Sequence, residues 1–167
     1  MNRRAAAAPV AGRRPPLATI AAVSTACLFP DIAPRARLML PADGGHRLQV
    51  QELGAPDGAP LLVLHGGPGS GASPLLARFF DPSRWRILLP DQRGAGRSQP
   101  AGCTQANTTA HLLADLRTLR RTLGIARWTV AGGSWGATLA LAHALDEPGA
   151  IAGLLLRASF LARPADL

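Results

Sequence analysis

The sequence predicts an α/β fold, a mostly parallel sheet with flanking helices, and three observations predict it. Short apolar runs alternate along the chain with amphipathic or Ala-rich stretches of helical length, the pattern of strands joined by crossover helices. The run Leu61-Leu62-Val63-Leu64 contains no polar residue, as a central strand covered on both faces requires. Between the apolar run Trp128–Ala131 and a further apolar stretch of helical spacing stands Gly132-Gly133-Ser134-Trp135-Gly136, a sharp strand-to-helix turn.

Taken in order, residues 1–26 are Arg-, Ala- and Pro-rich and read as a disordered leader. The 12 apolar-rich residues from Leu17 to Leu28 follow basic residues; they resemble an export signal weakly and are too short to span a membrane. An organised domain is expected over 28–167. Arg37–Leu40 and His46–Leu53 are expected as two strands around the turn Ala42-Asp43-Gly44-Gly45. The central strand Leu61–Leu64 runs into His65-Gly66-Gly67-Pro68-Gly69. Pro74–Phe80 can form a short helix, closed by Asp81-Pro82. Arg86–Leu89 is the next strand and leads into Asp91-Gln92-Arg93-Gly94-Ala95-Gly96-Arg97-Ser98. Asn107-Thr108-Thr109 can cap a helix to about Leu123, because Leu112, Leu113, Leu116, Leu119 and Leu123 share one face and Gly124 closes it. The strand and turn around Ser134 follow, then a helix to about Asp146, then a strand from Ile151 to Leu156. An uncovered apolar edge at that last strand predicts association.

Composition narrows the function. The chain has 167 residues, 47% apolar, with a net charge of +8. Four of those charges are arginines in the first 14 residues, so the remainder carries about +4 with no basic run or basic helix; nucleic-acid binding is not expected. Cys27 and Cys103 are too few and too far apart for a disulfide framework or a metal site. A cytoplasmic location follows, with export as the lesser alternative. No membrane, metal or cofactor is expected to take part.

Gly-x-Ser-x-Gly between strand and helix is the context of a nucleophile elbow; a Gly-rich turn without chemistry is the plainer reading of the same five residues. The elbow would present Ser134 at a helix N-terminus, where backbone N–H groups favour negative charge. His65-Gly66-Gly67-Pro68-Gly69 exposes backbone N–H groups beside a buried strand. It is not a Walker loop, since the chain has no Lys, and Ala72 stands where a dinucleotide fingerprint needs Gly. The Asp91–Ser98 stretch alone reads as a charged surface loop. His46, His111 and His143 read as surface or structural histidines, and His65 as a brace for its loop.

Together these stretches resemble the proline iminopeptidases, serine peptidases of the α/β-hydrolase fold. The resemblance rests on His65-Gly66-Gly67-Pro68-Gly69, Asp91-Gln92-Arg93-Gly94 with Gly96-Arg97-Ser98, and Gly132-Gly133-Ser134-Trp135-Gly136 with Thr138-Leu139-Ala140-Leu141. Phe79-Phe80-Asp81-Pro82, Asn107-Thr108-Thr109, Leu123-Gly124-Ile125 and Leu155-Leu156-Arg157 agree; Ala95 stands where members commonly have Cys. It implies release of N-terminal proline from peptides, with Ser134 as nucleophile and the backbone N–H groups of Trp135 and Gly67 as the oxyanion hole. It also implies that a later helical cap binds the substrate amine.

This fold orders its triad Ser, acid, His. After Ser134 the chain offers Asp146, Glu147, Asp166 and one histidine, His143. A helix rises about 1.5 Å per residue, which carries His143 about 13 Å from the serine. No triad acid or base is therefore expected in this chain. It is expected to be the N-terminal part of the fold, truncated after the strand following the nucleophile helix, and inactive alone. Another α/β-hydrolase (an esterase or lactonase) and a non-enzymatic remnant are the alternatives.

Overall fold

The computed structural model describes residues 28–159, so the expected leader over 1–26, Cys27 and Asp166 lie outside the described residues. Six strands form one sheet: β1 (Ala36–Pro41), β2 (Arg47–Gly54), β3 (Ala59–Leu64), β4 (Trp85–Pro90), β5 (Trp128–Gly133) and β6 (Ile151–Arg157). Their order is β1-β2-β4-β3-β5-β6. β1 and β2 form the antiparallel hairpin that the Asp43–Gly45 turn predicts, with Leu40 opposite Leu48, and β2 is antiparallel to β4. β4, β3, β5 and β6 run parallel.

Side-chain alternation shows why β3 is wholly apolar. Leu62 and Leu64 point into a core shared with Leu88, Trp128, Val130, Leu116 and Leu139. Leu61 and Val63 point to the opposite face, among Leu53, Ile87, Leu89 and Ala77. With both faces covered, no position of the strand tolerates a polar group.

Two α-helices follow the predicted pattern: α1 (Thr109–Thr122) and α2 (Trp135–Asp146). Thr108 caps α1, with the His111 ring reaching back to it, and Gly124 closes it at φ 65°. Both helices lie on one face of the sheet, contributing Leu112, Leu116, Leu119, Leu139 and Ala140 to the same core. Handedness accounts for this. The chain steps from β4 across to β5 and on to β6 in one direction, and right-handed crossovers then stay on one side. β3 to β4 steps the other way, so its connection crosses the opposite face. That connection is a 3₁₀ segment, Pro74–Phe79, capped by Ser73, rather than the short α-helix expected there. Within that segment Ala77 is fully buried and Leu76 packs partly against the same core.

The chain thus leaves β3 toward one face and β5 toward the other. The ends of these neighbouring strands form a topological switch point, where open α/β sheets bind ligands.

Candidate active site

β5 ends at Gly133 and α2 begins at Trp135, so Ser134 is the whole turn between them. Its backbone sits at φ 54°, ψ −123°, a region that costs a residue bearing a side chain about 1–3 kcal/mol. Close packing imposes it. A Cβ on Gly132 would lie on the carbonyl of Gly136, and one on Gly136 would lie on the carbonyl of Leu64. The Ser134 N–H donates to the Arg157 carbonyl at 3.0 Å, tying the turn to the end of β6. Ser134 is exposed and makes no capping bond with its side chain. It therefore stands at the N-terminus of a 12-residue helix, beside first-turn N–H groups that have no intrahelical acceptor.

The loop after β3 packs on this turn. A Cβ on Gly66 would come within 2.8 Å of the Gly133 carbonyl and 3.3 Å of Ser134 Cβ. Gly67 follows at φ 46°. His65 is 2% exposed and braces the loop. Its Nε2 accepts from the Gln92 N–H at 3.1 Å, which leaves the ring proton on Nδ1, 3.0 Å from the Gly66 carbonyl. Ser70 Oγ donates to the same carbonyl at 2.5 Å. Burial holds the His65 imidazole below its usual pKa, against the opposing effects of the Gly66 carbonyl and Asp91, so the ring is neutral.

The Asp91–Ser98 stretch after β4 begins buried and reaches the surface only at Gly96 and Arg97. Asp91, Gln92 and Arg93 are 2%, 7% and 2% exposed. The Asp91 carboxylate accepts from the Ala72 N–H at 2.6 Å and the Arg97 N–H at 3.0 Å, pinning two loops. Gln92 donates from Nε2 to the His65 carbonyl at 3.0 Å and accepts at Oε1 from Trp135 Nε1 at 2.9 Å. The three motifs singled out in the sequence are thereby one hydrogen-bonded assembly.

Ser134 opens on a cavity of about 440 Å³, lined on its apolar side by Leu76, Phe79, Phe80 and Leu155, with Gly66 and Arg157 beside it. Gly66 rather than Gly67 lines it.

The histidines are engaged elsewhere. His46 Nε2 is bonded to the Gln105 carbonyl at 2.9 Å, and the His111 ring to Thr108. His143 is fully buried and accepts from Trp128 Nε1 at 3.2 Å. As its helical position requires, it has no part in the Ser134 turn. Among the described residues no group of His, Cys, Asp or Glu side chains is placed to hold a metal ion, and no helix is long and apolar enough to cross a membrane.

Sequence reasoning did not single out Ser70, or Gln92 apart from its motif, as site residues. Arg157 was also missed: it pairs in register with Gly133, and its guanidinium would lie 3.3 Å from a Cβ there. The signal for Arg157 was available, since a strand parallel and adjacent to β5 must end beside the elbow.

Comparisons with known proteins show the fold family. Residues 59–167 match the model of the alpha/beta hydrolase fold. The chain is 51% identical to a proline iminopeptidase of Neisseria meningitidis over 121 residues, 72% of this chain and 39% of that protein. It is 49% identical to a proline iminopeptidase of Xylella fastidiosa over 140 residues, 84% of this chain and 45% of that protein. Among solved structures, a proline iminopeptidase-related protein of Thermus thermophilus superposes with a TM-score of 0.63 at 32% identity, covering 72% of this chain and 43% of that one. The proline iminopeptidase of Mycobacterium smegmatis gives 0.61 at 29% identity, over 71% and 41%. The chain spans about two fifths of the length of the relatives it matches.

Proposed function

Because this chain belongs to the α/β-hydrolase fold family, we propose that Ser134 is the nucleophile of a serine aminopeptidase that releases proline from the N-terminus of peptides. The observation that supports this most directly is the exposed Ser134 at φ 54° on a helix N-terminus, with the Gly66-Gly67 loop against it. Ser134 Oγ attacks the carbonyl of the N-terminal residue and loses its proton to a base. The peptide C–N bond breaks, the leaving amine takes a proton, and water then hydrolyses the acyl-enzyme. The backbone N–H groups of Trp135 and Gly67 hold the oxyanion. The apolar wall of Leu76, Phe79, Phe80 and Leu155 suits a pyrrolidine ring. Cys103, a free thiol, suits a reducing cytoplasm.

The triad base is not among residues 28–159. In this fold the acid and the histidine follow the serine, and the described histidine that does so, His143, is held by Trp128. The 167-residue chain alone is therefore expected not to turn over proline p-nitroanilide; turnover that Ser134→Ala abolishes would overturn the placement of the base. The nucleophile is tested in a chimera that joins this chain to the remaining length of the Neisseria meningitidis relative. It should release proline, and Ser134→Ala should lower kcat by roughly 10⁴-fold or more. A chimera that keeps its activity without Ser134, or cleaves acyl esters but no prolyl anilide, would sink the reading.

A further inference from the structure

We propose that Gln92 is a positioning residue that holds the two backbone donors of the oxyanion hole, the N–H groups of Gly67 and Trp135, in fixed register; the proposal rests on the hydrolase reading of Ser134. The buried Gln92 side chain uses both ends of its amide. Oε1 accepts from Trp135 Nε1 at 2.9 Å, and Nε2 donates to the His65 carbonyl at 3.0 Å. Its backbone N–H donates to His65 Nε2 at 3.1 Å. One residue is thus bonded through one atom to the first residue of α2 and through two to His65, at the strand end that carries the glycine loop.

The effect on Gly67 follows from peptide geometry. Gln92 N–H occupies His65 Nε2, so the ring proton is on Nδ1 and points to the Gly66 carbonyl at 3.0 Å. Ser70 Oγ donates to that carbonyl from 2.5 Å. In a trans peptide the C=O of one residue and the N–H of the next point in opposite directions. Fixing the Gly66 carbonyl toward His65 and Ser70 therefore turns the Gly67 N–H away from them, while the Gly66 Cα packs against Ser134. The other donor, the Trp135 N–H, belongs to the residue whose indole Gln92 holds. Loss of the Gln92 side-chain amide removes its bonds to the His65 carbonyl and to the Trp135 indole, the side-chain tie between the glycine loop and the start of α2, while the backbone N–H bond to His65 Nε2 remains. An oxyanion hole needs both donors within hydrogen-bond range of one point.

The test is made on the chain itself by ¹H–¹⁵N NMR, without turnover. Gln92→Met keeps the side-chain length and the backbone N–H but removes both amide bonds. The Trp135 indole N–H should exchange about tenfold faster, and the backbone amide resonances of both Gly67 and Trp135 should shift. The Trp128 indole, bonded to His143, is the internal control and should not change. Gln92→Glu retains an acceptor for Trp135 and loses the donor to the His65 carbonyl, so it should protect the indole while still shifting Gly67. Trp135→Phe breaks the strut from the other side and should shift the Gly67 amide as Gln92→Met does. A Gly67 amide that stays at its wild-type position in Gln92→Met and Trp135→Phe overturns the proposal and leaves Gln92 as packing. Failure of the peptidase reading would appear in the chimera and leave these shifts as predicted.

Discussion

Arg93 uses all five of its N–H donors inside the protein. Nε and Nη2 grip the two oxygens of Asp115 at 2.6 and 2.7 Å. Nη1 donates to the carbonyls of Ala106 at 2.7 Å and Asp43 at 3.2 Å, and Nη2 also reaches the Asp43 carboxylate. The planar fork is matched so fully that Lys could not replace it. Burial pushes the Asp115 carboxyl up from its ordinary range, and Arg93 is the chief group opposing it, by hydrogen bond and by charge. Arg93→Met would therefore leave a buried carboxylate unpaired, at a cost of about 3–5 kcal/mol. Arg93→Met with Asp115→Leu should recover much of that loss, because replacing both partners removes the stranded charge. Urea unfolding of the three proteins checks it; a single variant within about 1 kcal/mol of wild type would show that the pair contributes little.

At the scale of elements, α2 and β6 differ in how completely they are enclosed. α2 is fixed at its start by the Gly132–Gly136 and Gly136–Leu64 approaches. β6 is paired through β5 alone among the described residues, and Leu154 and Leu155 are 39% and 56% exposed. Such an edge, apolar and half-paired, recruits further strands. The chain is expected to self-associate in sedimentation velocity, and Leu155→Lys should shift it toward monomer; a monodisperse wild type would contradict this. The elements themselves were legible in the sequence because each carries a local signature: the unbroken apolar run of β3, the leucine stripe of α1, the glycines around Ser134. Other features were not legible because their causes are non-local. The 3₁₀ turn Pro74–Phe79 has the residues of a short helix. Asp91, Gln92 and Arg93 are polar residues beside glycines, which reads as a solvated loop. Their partners, such as Asp115 for Arg93 and Trp135 for Gln92, lie 22 and 43 residues away, where no sequence period points.

At the scale of the whole molecule, the sheet divides two of the buried histidines, His65 and His143, between two tasks. His65 sits at the switch point and braces the glycine loop, and His143 bonds to Trp128 between α2 and β5, on the helical face. Burial lowers both pKa values. For His65 the Gly66 carbonyl and Asp91 oppose it, and for His143 Glu147 and Asp146 do, with Arg120 and Arg117 reinforcing the lowering. The consequence for stability has a definite sign. The unfolded chain takes up protons on these rings near pH 6.5, whereas the folded chain does so only at lower pH. Below about 6.5 the unfolded state binds more protons, so stability rises with pH there and is complete above that value. The contribution of these two rings to the urea midpoint should therefore fall as pH is lowered from about 7.5 to 5, while Asp115, whose carboxyl burial pushes up, acts in the opposite sense. His143→Gln isolates one contribution, since its amide oxygen can accept from Trp128 and does not titrate. Its midpoint should depend less steeply on pH than that of wild type over the same interval. Equal slopes would mean that His143 takes up its proton alike in both states, and that its burial beside Trp128 imposes no electrostatic constraint on the fold.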